Sequence, residues 1–369
     1  MFGNRQVYRG KRVLVTGGTG SIGSQIVEQI LAEKPNVVRI LSRDETRQME
    51  FQEYLGQRFD RQRTRFLIGD VREAERLRRA MEGIDIVFHA AAMKHVPACE
   101  YNPFEAVQTN VVGTQNVITA AREAGVQRVV AISTDKATCP ENTMGATKLL
   151  AERLVSSAQT SSEGTVLCAV RFGNVLNSRG SIAPRAMKQL LDEGHAFLTD
   201  PEMTRFMMTI QDAVALVLEA GMRARGGETF ILDMPRLWVR DLIEVLVEEA
   251  ARQQRRSVSD YEIRVIGARP GEKLHERLIT DDEQRRTRAE PGGLYVVEPH
   301  ERVRERQDEG IVDRLDSSQG TFLTKAEIRG LLVRGGALPA FGGASESDSE
   351  ISDTGRGKSE AVMTTEESL

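Results

Sequence analysis

The sequence has few cysteines and no long hydrophobic run. Its three cysteines, Cys99, Cys139 and Cys168, form no C-x-x-C pair. This argues against a disulfide framework and against a zinc site, and it fits a reducing compartment. The most apolar stretch, 84–93, is far shorter than the roughly 20 residues that span a bilayer, and the polar, basic start of the chain lacks a secretory apolar region. We therefore expect a cytoplasmic protein with no membrane span and no metal site.

An excess of positive charge is also absent. The 50 lysines and arginines and the 54 acidic residues give a formal net charge of −4, which argues against a general nucleic-acid binder. With 369 residues, of which 40% are hydrophobic, the chain can bury a sizeable core in one large or two smaller domains. Residues 336–369 are instead rich in glycine, serine and acids, so we expect them to form a disordered acidic tail.

Short β-branched runs alternate with helical patterns, which predicts an α/β fold with a doubly wound parallel (Rossmann) sheet. The predicted strands are 12–16, 37–41, 65–68, 86–89, 128–133, 166–171 and 230–233. We expect a dinucleotide-binding Rossmann domain over 10–171, which a later strand near 230–234 joins. A smaller, mainly substrate-binding lobe is expected over 172–300, and 103–124 has a helical pattern.

A glycine-rich loop follows the first predicted strand and opens an amphipathic helix. Its glycines follow a G-x-x-G-x-x-G pattern. Glycine allows a turn with positive φ and a close approach to a pyrophosphate, which then meets the free N–H groups of the helix. The residues predicted to bind the cofactor here are Gly17, Thr19, Gly20, Ser21, Ile22 and Gly23.

The end of the second strand indicates which dinucleotide binds. NAD sites usually place an acid there for the ribose 2′-hydroxyl, but this sequence has Ser42 and Arg43, with Arg47 one turn later. A guanidinium forks well onto a phosphate, so we predict NADP. If the neighbouring Asp44 points inward instead, NAD would bind.

Two further segments lie where the cofactor would pass. Asp70 and Val71 follow the third strand and are expected at the adenine. Ala90 and Ala91 follow the fourth strand and leave room for the dinucleotide. Close packing of helix and sheet would explain the alanines equally well.

Two polar segments converge at the same edge of the sheet, where open α/β folds bind ligands. Ser133-Thr134-Asp135-Lys136 ends the fifth strand, and Met144-Gly145-Ala146-Thr147-Lys148 begins the next helix. With these segments the chain resembles the extended short-chain dehydrogenase/reductases, in particular the CapD-type nucleotide-sugar 4,6-dehydratases of polysaccharide biosynthesis. The other matching stretches, in family order, are 17–23, 42–44, 94–96, 109–114, 171–182, 199–205 and 269–275.

The resemblance implies a UDP-N-acetylglucosamine 4,6-dehydratase. In such enzymes the sugar is oxidised at C4, loses water across C5 and C6, and receives the hydride at C6. By resemblance Asp135 is the acid at the C6 oxygen and Lys136 the base at C5, while Thr134 and Lys148 serve the C4 hydroxyl and the nicotinamide ribose. The alternative is that Asp135 and Lys136 form a surface ion pair. Because neighbours on a strand point opposite ways, both can face a site only where the strand has already ended.

One position departs from the superfamily pattern Tyr-x-x-x-Lys. Met144 stands where the acid/base tyrosine is expected, and a thioether cannot move a proton. Some CapD-type dehydratases are similar in this respect, so the methionine does not by itself mean an inactive protein. The other interpretation is that Met144 is ordinary packing in a chain that has lost catalysis.

The family motifs also indicate residues for the substrate and its diphosphate. They are Lys94, Asn174, Arg179, Arg205, Arg269 and Glu272. The resemblance further implies a homo-oligomer that pairs through helices flanking the sheet.

Two other functions compete with the dehydratase. A UDP-sugar 4-epimerase shares the fold, the cofactor and the C4 oxidation, but it does not need an acid–base pair at C5 and C6. A non-catalytic, cofactor-binding scaffold that recruits a partner through its acidic tail is the other alternative.

Overall fold

The computed structural model describes residues 7–160, 164–302 and 314–339. Its strands are β1 Arg12–Thr16, β2 Val37–Ser42, β3 Thr64–Ile68, β4 Ile86–His89, β5 Arg128–Ile132, β6 Val166–Arg171, β7 Asn174–Val175, β8 His195–Leu198, β9 Thr204–Met208, β10 Thr229–Leu232, β11 Arg236–Trp238, β12 Glu262–Val265, β13 Thr287–Glu290 and β14 Leu294–Val297. Its α-helices are α1 Ser21–Ala32, α2 Glu45–Gly56, α3 Ala74–Met81, α4 Val96–Tyr101, α5 Pro103–Val107, α6 Gly113–Glu123, α7 Thr143–Thr160, α8 Ile182–Glu193, α9 Ile210–Arg223, α10 Val239–Gln254, α11 Asp281–Gln284 and α12 Lys325–Arg334.

Within these residues, nine strands form one sheet in the order β13-β14-β10-β6-β5-β4-β1-β2-β3. The seven strands from β10 to β3 in this order run parallel to one another. Strand β14 pairs antiparallel with β10, and β13 pairs antiparallel with β14. The predicted doubly wound sheet is therefore confirmed, and every predicted strand is present with ends that differ by at most one residue. The order reverses between β1 and β4, which is where such folds bind dinucleotides.

The sheet is buried on both faces because hydrophobic side chains point to alternate sides of each strand. In β1, Val13 and Val15 belong to one core cluster, which includes Ile26 and Ile30 of α1. Leu14 belongs to the other cluster, which α3, α6 and α7 help to form. This packing fixes α1 and the glycine loop before it against the centre of the sheet.

The helix expected over 103–124 is interrupted. A π-helical turn at Gln108–Val112 separates α5 from α6. Inside this turn the Asn110 amide donates to the Met93 carbonyl oxygen and to Thr147 Oγ1, both at 3.0 Å, and its Oδ1 accepts from the Met93 N–H. The predicted helical stretch over 103–124 is therefore present, and the π-helical turn inside it is a feature that the sequence did not indicate. The wider turn lets one buried amide join the loop after β4 to α7.

A second core lies under the two small sheets, which have the strand orders β11-β9-β7 and β12-β8. Leu190 of α8, Leu242 of α10 and Leu332 of α12 are buried in it. The chain up to Leu338 groups as one compact unit, so the predicted boundary between 171 and 172 stays an interpretation. Leu338 belongs to the range predicted as a tail, but it is buried in this core.

The remainder of the predicted tail, 340–369, lies outside the described residues. Among the described helices, none combines the length and the apolarity needed to cross a bilayer.

Candidate active site

The glycine loop fits a dinucleotide phosphate. Gly17 has φ +65°, and a Cβ there would lie 2.7 Å from the Ala91 backbone nitrogen. A Cβ at Gly23 would overlap the Gly17 carbonyl oxygen. Helix α1 begins directly after the loop, and its N-cap, Gly20, supplies no side-chain cap, so first-turn N–H groups are left for a ligand. Of the other predicted loop residues, Thr19 is buried, and Ser21 and Ile22 form the first turn of α1.

The end of β2 presents two exposed arginines. Asp44 caps α2, because its Oδ1 accepts from the Arg47 N–H at 3.0 Å, and its Oδ2 is 3.1 Å from Arg47 Nε. The Arg43 guanidinium is 3.5 Å from Asp70 Oδ2. Ser42 is buried under α2. Asp44, the group expected for NAD, is thus already engaged through both carboxylate oxygens by Arg47.

Asp70 and Val71 lie at the end of β3. Asp70 is buried, and burial acts to raise its pKa. Hydrogen bonds from Arg72 and the charge of Arg43 outweigh this effect, so the pKa of Asp70 lies below its ordinary value. Its carboxylate accepts from Arg72 Nε at 2.9 Å. Val71 is buried against Gly113 of α6, where a Cβ would meet its side chain. These contacts fix the wall beside the predicted adenine position.

The acid–base pair expected at the end of β5 is assembled in a single turn. Strand β5 ends at Ile132, and a 3₁₀ turn over Asp135–Ala137 brings two neighbouring side chains to the same side. Lys136 Nζ donates to Asp135 Oδ1 at 2.9 Å and to Asn174 Oδ1 at 3.3 Å. Asp135 is fully buried and the Lys136 side chain is 22% exposed. The geometric requirement is met, and the pair is not a surface ion pair.

Hydrogen bonds and charges around Asp135 and Lys136 bear on where the protons of this pair lie. Thr134 Oγ1 donates to Asp135 Oδ1 at 2.9 Å, while Asp135 Oδ2 is buried without a partner among the described residues. Burial acts to lower the pKa of Lys136, but Asp135 and then Glu276 raise it above its ordinary value. These charges favour the ammonium form of Lys136, which must give up a proton before it can act as a base.

Glu276 is a member of the site that the sequence did not indicate. Its Oε1 lies 3.2 Å from Lys136 Nζ, and its side chain is 2% exposed. It directly follows the matching stretch 269–275, which ends one residue before it. That adjacency is the only signal in the sequence, since no spacing links Glu276 to the turn after β5.

Lys148 and Met144 lie on the first turns of α7. Lys148 is buried, and its Nζ donates to the carbonyl oxygen of Ile132 at the end of β5. Burial lowers the pKa of Lys148 to about 8. Met144 is buried and packs with Cys99 and Ala106. The position expected for tyrosine therefore contributes packing, while the buried lysine is retained.

Two residues predicted to bind substrate lie against the glycine loop. The Arg179 guanidinium donates to the Thr19 carbonyl oxygen, and its backbone N–H donates to Ser21 Oγ at 3.1 Å. Lys94 Nζ donates to the carbonyl oxygen of Arg179 at 2.7 Å. Burial and the nearby Arg179 charge lower the pKa of Lys94. The structure thus brings these two cations together at the glycine loop.

The remaining predicted substrate residues divide into two groups. Arg205 is buried, and it donates to the carbonyl oxygens of Lys273 and Leu274 at 2.8 and 3.0 Å. Arg205 therefore holds the loop rather than presenting a free cation. The Arg269 side chain is exposed on the same loop, and Glu272 Oε1 is 3.9 Å from Arg205. Asn174 joins the catalytic cluster through Lys136.

A family model described as "Polysaccharide biosynthesis protein" matches residues 13–298. An uncharacterized membrane protein of Methanocaldococcus jannaschii is 49% identical over 88% of this chain and 96% of its own length. An inverting UDP-N-acetylglucosamine 4,6-dehydratase of Campylobacter jejuni is 40% identical over 84% of this chain and 89% of its own. A UDP-glucose 4-epimerase of Rickettsia felis is also 40% identical, over 78% and 82%.

Solved structures agree with these relatives. The Pen protein of Bacillus thuringiensis has a TM-score of 0.84 and 43% identity over 90% of this chain and 99% of its own. The dTDP-glucose 4,6-dehydratase DesIV of Streptomyces venezuelae, solved with NAD bound, has a TM-score of 0.61 and 27% identity over 71% and 86%. A nicotinamide cofactor is thereby supported. The chain belongs to the polysaccharide biosynthesis protein family, which includes nucleotide-sugar dehydratases and epimerases, and it has the extended short-chain dehydrogenase/reductase fold.

Proposed function

We propose that the protein is an NADP-dependent UDP-N-acetylglucosamine 4,6-dehydratase. The observation that carries this proposal is the buried Asp135–Lys136 pair, joined at 2.9 Å directly after β5. The pair offers one group to donate a proton and a second to accept one, which is what water elimination across C5 and C6 requires. The product would be a UDP-4-keto-6-deoxy-N-acetylhexosamine for polysaccharide or glycan biosynthesis.

The cofactor would be held by the glycine loop and the end of β2. The residues proposed to hold it are Gly17, Thr19, Gly20, Ser21, Ile22, Gly23, Ser42, Arg43, Arg47, Asp70, Val71, Ala90, Ala91 and Lys148. A nicotinamide held there would supply the hydride acceptor for the oxidation at C4 and the hydride donor for the reduction at C6. Two exposed arginines at the end of β2 and the engaged carboxylate of Asp44 support NADP over NAD.

Each residue of the cluster has a distinct proposed role. Asp135 protonates the C6 oxygen as water leaves, and Lys136 removes the C5 proton after the C4 ketone has made it acidic. Thr134 orients Asp135 through its hydrogen bond. With Met144 unable to carry a proton, Lys148 is the nearby group whose pKa, about 8, suits proton removal from the C4 hydroxyl.

The nucleotide-sugar assignment rests on the relatives and on cations near the glycine loop. N-acetylglucosamine comes from the name of the Campylobacter jejuni relative. Arg179, Lys94 and the exposed Arg269 are proposed to meet the diphosphate, with Asn174, Arg205 and Glu272 shaping the sugar end. We also expect a cytoplasmic homo-oligomer.

A 4-epimerase is the second candidate, because the Rickettsia felis relative carries that name. An epimerase oxidises only C4 and has no use for an acid at C6. The buried carboxyl of Asp135 therefore favours the dehydratase, and the absent tyrosine disfavours the usual epimerase chemistry. A non-catalytic scaffold would not explain why the Asp135–Lys136 pair is buried after β5.

Proton NMR of the purified protein with UDP-N-acetylglucosamine and trace NADP⁺ tests the proposal. We expect a new methyl doublet at C6 with no net NADPH, and the ring couplings then give the C5 configuration. A galacto-configured product without a methyl signal would identify an epimerase instead. No turnover of any UDP-N-acetylhexosamine by cofactor-loaded protein would contradict both enzymes and favour the scaffold.

A further inference from the structure

Glu276 is the buried carboxylate nearest to Lys136 that the proposed reaction does not yet use. It comes from the loop before α11, whereas Lys136 comes from the turn after β5, so the contact exists only in the folded protein. Two hydrogen bonds fix its backbone, since its N–H donates to Ser317 Oγ at 2.8 Å and its carbonyl accepts from the Ser317 N–H at 2.9 Å. The carboxylate is therefore held in place from a separate segment of the chain.

Four charged groups face this carboxylate. Its Oε1 is 3.2 Å from Lys136 Nζ and 4.0 Å from Arg205 Nε, and its Oε2 is 4.0 Å from Lys273 Nζ. Asp135 Oδ1 contacts the same Lys136 Nζ at 2.9 Å, and its charge acts on Glu276. Lys273 and Arg205 both donate to backbone carbonyl oxygens, of Thr138 and of the loop respectively. Lys136 is thus the cation closest to Glu276, and it also contacts Asp135, the proposed acid.

Lys136 Nζ contacts two carboxylates, of Asp135 and of Glu276, whose surroundings differ. Asp135 Oδ1 already accepts from Thr134 and Lys136. Glu276 Oε2 is buried without a hydrogen-bond partner among the described residues. Burial and the Asp135 charge raise the pKa of Glu276 above its ordinary value, while the charge of Lys136 acts to lower it. When ionised, a carboxylate 3.2 Å away favours the charged form of an amine. This is the arrangement in which an anion stabilises the cation that forms on a base, as the aspartate of a catalytic triad does for histidine.

We propose that Glu276 is a positioning residue that orients the Lys136 amine and stabilises the ammonium that forms on it when it takes the C5 proton. This inference rests on the proposed dehydratase and adds a third member to its acid–base pair. It also explains why a buried glutamate lies beside Asp135 and Lys136, whose opposite charges already balance.

The protons balance as follows. Lys136 passes one proton to Asp135 Oδ1, which leaves an amine and a carboxylic acid. The amine takes the C5 proton, the C–H electron pair forms the enolate, and its collapse expels the C6 hydroxyl as water with the Asp135 proton. After hydride returns to C6, Lys136 gives its proton back to C5. The proton released from the C4 hydroxyl restores the ammonium, and Glu276 exchanges no proton in this sequence of steps.

The test compares Glu276→Gln with the wild type, both loaded with NADP⁺. We expect incorporation of solvent deuterium at C5 to slow about 10- to 100-fold, because the carboxylate 3.2 Å from Lys136 Nζ is lost. Reduction of the bound cofactor by UDP-N-acetylglucosamine, followed by absorbance, should change little. In protein with ¹³C-labelled lysine and no substrate, the titration midpoint of Lys136 should fall. Glu276→Asp, which keeps the charge, should restore part of both effects.

Glu283→Gln is the matched control, because Glu283 is equally buried and pairs with Arg171. It should lower the unfolding temperature without moving the Lys136 midpoint. An unchanged Lys136 midpoint in Glu276→Gln overturns the inference even if the wild type dehydrates no sugar. A lowered midpoint with wild-type C5 exchange overturns it too. If the wild type fails to form the methyl product, the proposed function fails by itself.

Discussion

The glycine loop offers a sharp test, because two glycines share a backbone conformation but not their surroundings. Gly17 and Gly125 have φ of +65° and +67°. A Cβ at Gly17 would lie 2.7 Å from the Ala91 nitrogen and 2.8 Å from the Ala90 carbonyl carbon, whereas at Gly125 nothing lies within 4 Å. Replacing each by alanine therefore separates the cost of positive φ from the cost of the close approach.

The two costs can be estimated separately. An L-residue in the left-handed region costs about 1–2 kcal/mol, and both variants bear that cost. In Gly17→Ala the new methyl meets backbone atoms that cannot rotate away, which adds about 1–3 kcal/mol of overpacking. We expect the free energy of unfolding to fall by about 2–5 kcal/mol for Gly17→Ala and by about 1–2 kcal/mol for Gly125→Ala.

Cofactor binding should differ even more clearly. The methyl at Gly17 pushes the loop away from the segment after β4, where the dinucleotide is proposed to lie. Titration with NADPH, followed by its fluorescence, should show affinity at least about tenfold weaker in Gly17→Ala, or about 1.4 kcal/mol. Gly125→Ala should bind as the wild type does. Equal losses of stability in the two variants, with unchanged NADPH affinity in Gly17→Ala, would refute the reasoning.

Three other predictions concern buried charged groups. Asp135→Asn should slow dehydration about 10²- to 10⁴-fold, measured by NMR, while absorbance still reports reduction of the bound cofactor. Arg171→Met should cost about 3–5 kcal/mol in urea unfolding, because Glu152 and Glu283 lose their buried cation. Lys148 has a pKa of about 8 in the folded chain, below its ordinary 10.5, so the unfolded chain binds more protons between those values. The stability of the wild type relative to Lys148→Met should therefore rise from pH 8 to 10.5, by about 3 kcal/mol.

Exposed counterparts serve as controls for these three. Asp192→Asn should leave dehydration at the wild-type rate. Arg79→Met breaks only a surface pair with Glu75 and should change stability by about 0.5 kcal/mol or less. Lys188→Met should show no comparable rise with pH, because the Lys188 side chain is in solvent. A loss for Arg79→Met as large as for Arg171→Met, a flat pH dependence at Lys148, or wild-type dehydration by Asp135→Asn would each contradict the corresponding argument.

Features with local causes could be predicted from the sequence. Strand β1 alternates its side chains between two cores, and the apolar face of α1 repeats at helical spacing, so neighbouring residues determine both. The turn at Gly17 favours glycine because its φ is positive. The turn at Asp135 and Lys136 follows a strand that ends where its apolar run ends. The family motifs added roles to these residues, and the roles of the individual side chains stay predictions.

Features that join distant segments could not be predicted. The π-helical turn within the helical stretch 103–124 places Asn110 against Met93 and Thr147, which lie far away in the sequence. The orientation of Arg205 depends on the carbonyl oxygens of a loop far along the chain, so a motif arginine expected at the diphosphate holds that loop instead.

The sequence by itself determined the α/β architecture, the phosphate loop and the candidate acid–base pair, because each follows from periodicity, a required φ or a contiguous motif. Only the tertiary structure decided that the pair is buried, that its surroundings favour the ammonium form of Lys136, and that Glu276 lies beside it. Burial and charge depend on what the fold brings within a few ångströms, and no spacing along the chain encodes that distance.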